Sequence, residues 1–590
     1  MQRRSRVWIL AAAALAAVPA SAQTGPTFSG STEVVASRLG GDAAGVGRRE
    51  IVLTRDEIRA LPVHSIEDLL AILPGVGLAR RGAFGAQADL NLRGSTFEQT
   101  LVLVNGIRVG NPQTGHHALD LFIPIEAVER IEILFGPASA VHGPGAFGGV
   151  INIVTGVTRP AAHIAAGAHG LADGGAGLTV GRHTWAALGR TVHTGFRDDT
   201  ELAVNQAAAG RRWAAGRTSF EVAAAAGERH FGAWRFYSDR FPRERERTAG
   251  TLVTAGLHHA SGGLRLDASF RADRHLDTFV LDRRRPAWYL NRHRTDGVLA
   301  GLRLAGGRRW RWTVGAEASR DSIRSSSLGR HHRIQTAAFG EAGWFGRRAT
   351  ADLQVRIDHQ RPWGSVTTLA AGGSWRPGGG WRLRAAAGQS FRAPSFTELW
   401  YRSPASVGDP DLRPERGWTV EVGVGRASWS LTVFQRRAHP LIDFVLDGDG
   451  VWRARNVGRL TTSGLEASLL LPVAGPLLWQ RLGVEWLGTG VSLDPRRSAY
   501  ALAHPRLEVA WSGAAAIGGG FEAGWAARFR DPAGRGSWAV LDLRLGRRIL
   551  DGMRVILEAD NLFDRSISEL HGIPLPGRWI SLRVDWRGGS

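Results

Sequence analysis

The chain has 590 residues and no cysteine, which excludes disulfides, thiolate metal sites and cysteine nucleophiles. Hydrophobic residues make up 43% and glycines number 77, so there is enough apolar material for folded cores and too much for a disordered chain. The formal net charge of +21 is carried by arginines spread along the chain, with no lysine and no basic patch or arm, which argues against a nucleic-acid partner.

In chain order, "MQRRSRVWILAAAALAAVPASA" (1–22) has basic residues, an apolar run and a small-residue cleavage site, the pattern of a secretory signal peptide. No later window holds 18 consecutive apolar residues, so no transmembrane helix is expected in the exported chain. Residues 23–50 read as an extended N-terminal segment, too short for a further signalling domain.

From 51 to 156 the signals are those of a small α/β domain. Thr54-x-x-Glu57 and Ser65-x-x-Asp68 resemble capping boxes. Ile66, Leu69, Leu70 and Leu73 make one helical stripe that Pro74-Gly75 ends. Asn105-Gly106 between two apolar runs predicts a hairpin. "ERIEILFGPASAVHGPGAFGGVINIVT" (129–155) places strands on either side of a glycine-rich turn region.

From 161 to 590 the period is two. Ile580, Leu582, Val584 and Trp586 share one face of the last strand, and Ser581, Arg583 and Asp585 the other. Alternation over hundreds of residues in an exported chain predicts a transmembrane β-barrel, apolar toward lipid and polar toward the lumen. At roughly 18–20 residues per strand and its turns, this region supplies about 22 antiparallel strands. A barrel that wide needs filling, and the α/β domain is the filler. The 22 Trp and 22 Phe, against 4 Tyr, suit interfacial girdles.

Several motifs carry a family likeness: "SIEDLLAILPGV", "LNLRGS", "TLVLVNGIRV" and "GGVINIVT" in the first domain, then "SFRAPSFTELW" (390–400), "GDPDLRPERGWTVEVGV" (408–424), "NVGRLTTSGLE" (456–466) and "LEADNLFDRSISELHGIPLPGRWISLRVDW" (557–586). In this order they resemble the TonB-dependent receptors of Gram-negative outer membranes. The resemblance implies an all-β barrel with an N-terminal α/β plug domain in its lumen. It also implies active import of a large, scarce nutrient, cobalamin or a ferric siderophore, by a monomer among outer-membrane lipids. Energy would come from TonB and its inner-membrane complex, and no cofactor is implied.

Carried over by position, Thr32, Glu33, Val34, Val35 and Ala36 match the TonB-binding segment, and Arg93 matches a plug arginine that pairs with barrel glutamates, here Glu421 and Glu466. His116 and His117 fall in an outward plug loop, where they are candidate contacts for a metal chelate or corrinoid; a solvated polar loop is the other reading. His258-His259 and His331-His332 fall in strands, where neighbours face opposite ways and cannot share an ion. Asp542 and Ser581 read as lumen-side positions, where an added arginine should be far milder than on the lipid face. Haem is the alternative substrate, although no histidine lies between Ser395 and Gly408. A passive porin or adhesin is the alternative class, and neither explains the plug. No Gly-x-Ser-x-Gly, His-Glu-x-x-His or phosphate-loop motif supports an enzyme. Two departures stand out: Phe135 replaces an expected arginine, and Arg587-Gly588-Gly589-Ser590 follows the terminal aromatic Trp586.

Overall fold

The computed structural model describes residues 47–181, 183–237, 241–471, 475–491, 498, 500, 504–532, 536–570 and 572–589. The plug is built on a five-stranded sheet, with strands β1 (Glu50–Thr54), β4 (Thr100–Val104), β5 (Ile107–Val109), β6 (Val128–Phe135) and β7 (Gly149–Thr155) in the order β1-β6-β7-β4-β5. A separate hairpin joins β2 (Val76–Arg80) to β3 (Ala88–Leu92). Helix α1 (Arg55–Ala60) starts at a full capping box on Thr54 and Glu57. Helix α2 (Ile66–Ala71) is capped by Ser65, which accepts from the Asp68 backbone N–H, and its Leu69 and Leu70 are fully buried. Asn105-Gly106 turns β4 into β5, both residues at positive φ.

The glycine-rich stretch between β6 and β7 follows from close approach. Gly136 has φ +90, and a Cβ there would lie 2.8 Å from a carboxylate oxygen of Glu421 on the barrel wall. Gly143 has φ +92 and ends the short helix α3 (Ser139–His142), with a Cβ position 2.7 Å from the Arg108 guanidinium.

Around the plug, 22 antiparallel strands close on themselves, the last (Trp579–Arg587) pairing with the first (Ala161–Gly167). Closure satisfies every ladder without a free edge, the condition for crossing lipid with strands. Among the described residues no helix is long and apolar enough to span a membrane. One end of the barrel has tight turns at 262–263, 308–309, 427–428 and 551–552, and the other has long connections such as 393–414, 439–459 and 561–578. The short turns mark the periplasmic end. Trp310, Trp381, Trp429 and Phe521 each open a strand at that end, forming an interfacial belt.

The outward face behaves as the period-two pattern predicts: Leu582 is 55% exposed, and Ile580 and Leu557 also face out. The inward positions Ser581 and Asp542 face the lumen, as the alternation predicts. Ser581 is only 2% exposed, and Asp542 is buried and ion-paired to Arg528 at 3.1 Å, because the plug and inward side chains fill the lumen there. A difference from the sequence expectation is a helix, α4 (Phe396–Trp400), inside the long 393–414 connection, capped by Ser395 and Glu398. Five residues are too few to show a helical period in sequence.

Candidate functional site

Arg93 follows β3 at φ +54, with Gly94 after it at φ +62, a left-handed turn that aims the side chain out of the plug. Its Nε donates to Glu466 Oε1 at 2.9 Å, its Nη2 to Glu466 Oε2 at 2.6 Å and its Nη1 to Glu421 Oε2 at 2.5 Å. Glu421 and Glu466 lie on neighbouring parts of the wall, in strands Glu415–Arg426 and Leu460–Leu471, and all three side chains are 1% exposed. Burial alone would pull the Arg93 pKa down, but Glu466 and Glu421 together hold it above the ordinary arginine value. The bidentate fork matches the carboxylate geometry of Glu466. The sequence expectation is contact with at least one of the two glutamates, and Arg93 meets both.

Phe135, the departure from the family pattern, leaves no cation gap. Its ring lies 4.3 Å beneath the guanidinium of Arg49, which donates to Glu466 Oε1 at 3.1 Å. A second arginine thus reaches the same carboxylate from the residue just before β1. Sequence reasoning missed Arg49 because its partner lies 417 positions away.

The "SFRAPSFTELW" and "LRPERG" motifs form another tie. Arg392 bridges Glu398 and Glu415, each at 2.7 Å, and plug residue Gln99 donates to Glu415 at 2.8 Å. On the periplasmic side of the plug, Arg481 of the wall pairs with Glu57 at 3.2 Å. His64 bonds Asp560 at 3.1 Å; burial lowers its pKa, but the Asp560 carboxylate outweighs that and pushes it up to about 10.

His116 and His117 lie in a short 3₁₀ turn below the long loops and diverge. His116 stacks on Phe97 at 4.1 Å, meets Tyr500 edge-on and bonds Asp89. Burial lowers the His116 pKa despite Asp89. His117 turns inward: its Nδ1 lies 3.1 Å from Asp120 Oδ2, and its Nε2 lies 3.7 Å from Asp277 Oδ2 on the wall. Burial would lower its pKa, but Asp120 and Asp277 raise it well above the usual value. The pair therefore presents two different surroundings, which the dipeptide alone does not reveal. Beside His116, a cavity under the long loops is lined by Phe97, Glu98, Arg108, Arg271, Arg333 and Arg392, among others. The segment Thr32–Ala36 and the signal peptide lie outside the described residues.

Residues 184–562 match the family described as TonB dependent receptor-like, beta-barrel, and residues 45–150 match the TonB-dependent Receptor Plug Domain. The chain is 24% identical over 580 residues to the Vitamin B12 transporter BtuB of Vibrio vulnificus (strain YJ016), covering 88% of each chain. It is 27% identical over 436 residues to the Vitamin B12 transporter BtuB of Vibrio cholerae, covering 67% of this chain and 68% of the relative. Among solved structures, the siderophore receptor PirA of Pseudomonas aeruginosa superposes with a TM-score of 0.73 at 18% identity, over 92% of this chain and 99% of that one. The FrpB iron transporter of Neisseria meningitidis gives 0.75 at 15% identity, over 92% and 100%. Those two likenesses speak for the fold alone. With the barrel match spanning well over half its length, this chain belongs to the TonB-dependent receptor family, outer-membrane proteins of TonB-dependent import and not enzymes.

Proposed function

We propose that this receptor imports a corrinoid of the cobalamin type across the outer membrane. The observation that supports it is the end-to-end likeness to proteins named vitamin B12 transporters, which extends over most of both chains. His116, with Phe97 and Tyr500 against it, is the proposed plug contact for that ligand, and His117 lies just behind. Arg93 with Glu421 and Glu466 is the proposed latch that holds the plug against the wall between transport events. TonB is proposed to engage Thr32–Ala36 by strand addition, because an unpaired extended segment offers its backbone hydrogen bonds to a partner's sheet edge. The receptor is proposed to act as a monomer.

A ferric siderophore is the second reading. It is favoured by Arg108, Arg271, Arg333 and Arg392 around one cavity under the long loops, a cationic lining suited to an anionic chelate. Haem is disfavoured, since no histidine lies between Ser395 and Gly408. Calorimetry of the purified receptor against cyanocobalamin, haemin and a ferric catecholate decides between them. Saturable binding of cyanocobalamin alone supports the first reading, and binding of the ferric chelate alone replaces it with the second. Cellular uptake of the bound compound is expected to stop without TonB or the proton gradient; uptake that persists would mark a passive pore.

A further inference from the structure

Three wall strands, Arg245–Ser261, Leu264–Val280 and Leu290–Gly307, run side by side next to the plug loop that carries His117. Asp277 stands directly opposite Thr248 on one side and His293 on the other, so these side chains share the lumen face. Glu246 and His275 are each two positions along from that row and face the same way. Glu246, His275, Asp277, His293 and His117 are all at least nine-tenths buried.

Most buried carboxylates on this wall are met by arginine, as Asp358 is by Arg356 and Glu508 by Arg530. Glu246 and Asp277 are not. Among the described residues, the groups that ion-pair with Asp277 are His117 and His293, at 3.7 and 3.9 Å to Oδ2. Gln113 donates to Asp277 Oδ2 at 3.3 Å, and Tyr237 donates to Glu246 Oε2 at 2.9 Å. The remaining oxygens, Asp277 Oδ1 and Glu246 Oε1, have no hydrogen-bond partner among the described residues. Buried acceptors left this way are costly unless something with positive charge meets them.

We propose that His117, Glu246 and Asp277, with His293 beside them, form a binding site for a divalent transition-metal ion of the zinc class, bridging plug and wall. Candidate donor atoms of His117, Glu246 and Asp277 all lie within 4.8 Å of one another. Ligands about 2.0–2.1 Å from a tetrahedral zinc are separated by roughly 3.3 Å, so small side-chain rotations close the set. Two imidazoles with two carboxylates suit zinc and its neighbours better than calcium, which prefers an all-oxygen shell.

A supporting layer orients the key ligand. Asp120 Oδ2 accepts from His117 Nδ1 at 3.1 Å and from His275 Nε2 at 2.9 Å, while Asp120 Oδ1 accepts from Arg229 at 2.8 Å. An imidazole that donates through Nδ1 presents its Nε2 lone pair on the opposite side, toward Asp277. This carboxylate-to-histidine arrangement is how proteins fix a metal-ligating ring. In the alternative grouping of His117, Asp120 and His275, both ring nitrogens that face Asp120 serve as its donors, so Asp120 is read as the supporting carboxylate. The plug supplies one ligand and the wall three, so a plug displacement that carries His117 away dismantles the site. The ion and the plug position are therefore linked, whichever nutrient is imported.

The test uses the full receptor in detergent, stripped with a chelator and titrated with zinc chloride. One zinc per chain is expected, undisturbed by millimolar calcium. X-ray absorption of the zinc-loaded wild type is expected to show imidazole scattering in a mixed nitrogen and oxygen shell, a readout that needs no variant. Asp277→Asn and His117→Gln are each expected to weaken zinc binding at least a hundredfold, and Asp120→Asn tenfold to a hundredfold. His258→Gln, near the short-turn end of the same strand and far along it from Glu246, is expected to leave it unchanged. The proposal is overturned if the wild type takes up no stoichiometric zinc, if calcium displaces it, if the spectrum lacks imidazole, or if a folded His117→Gln, Asp277→Asn double variant keeps it.

Discussion

The two faces of the barrel wall are one residue apart along every strand and live in different solvents. On the outer face the large apolar groups Leu582, Ile580 and Leu557 meet lipid, and the charges Arg274 and Asp296 that share that face are paired with each other at 2.6 Å. On the inner face, buried charges are frequent, and those of the Arg93 junction are each matched by a partner on the plug or a neighbouring strand. The contrast teaches that position alone does not make a charge costly here. A charge is tolerated where a rigid counter-charge waits for it and penalised where none can be supplied.

The largest expected effect bypasses both faces. If energy enters through the N-terminal segment, Val34→Pro abolishes uptake while ligand binding and barrel assembly stay at wild-type levels, because proline removes a backbone donor and fixes φ. Val34→Ala is then nearly silent, since a backbone contact does not depend on that side chain. Uptake by the proline variant at the parental rate would remove Thr32–Ala36 from the coupling path.

Deleting a charge inside comes next. Arg93→Met leaves Glu421 without its arginine and Glu466 with Arg49 alone in the buried junction, and is expected to destabilise plug docking by about 3–5 kcal/mol, read by denaturant melts of the folded receptor. A triple variant that also carries Glu421→Gln and Glu466→Gln should recover part of that loss. No recovery would mean the cost is packing rather than unpaired charge.

Adding a charge outside should be somewhat milder and should depend on depth. Leu582→Arg, mid-strand, is expected to cost about 2–4 kcal/mol for folding into bilayers, against about 0–1 for Leu550→Arg at the short-turn end. Equal costs at the two positions would break the assignment of the outer face. The inner neighbour Ser581 is no longer a fair control, because a large side chain there collides with packed groups.

The smallest effect is a pH dependence at a single inner contact. The folded His64 pKa of about 10 lies above its unfolded value near 6.5, so the His64–Asp560 contribution is fully present below about pH 6.5 and is lost as pH rises through about 10. A gap between wild type and His64→Gln of roughly 1.5–3 kcal/mol at pH 6 should shrink toward pH 10.5. A gap that stays constant would show that His64 acts through packing alone.

Much of this was legible from short-range pattern. Alternation identified the strands because lipid and lumen impose opposite polarity on adjacent residues, and Asn105-Gly106 and Thr54-x-x-Glu57 announce their turn and cap within four residues. The partners of Arg93 were reachable only because the motifs around Glu421 and Glu466 resemble those of a known family. Arg49 and the wall partners of His117 were not legible. Their contacts depend on how far the plug sits inside the barrel and how it is rotated, and no local sequence feature reports either quantity. Ser581 points inward as period two says, but that pattern does not report what stands in front of it.

Strand β1 sits at the outer edge of the plug sheet and is held by five register pairs to β6 alone. Seen as a mechanical series, a tension arriving from the N-terminal side loads Arg49 and then this edge, while the closed wall offers no strand that can peel. Removing an edge strand leaves β6, β7, β4 and β5 still laddered together, so the plug can yield by one increment without dissolving. The β1–β6 ladder is thereby the first strand pairing that a pull would meet.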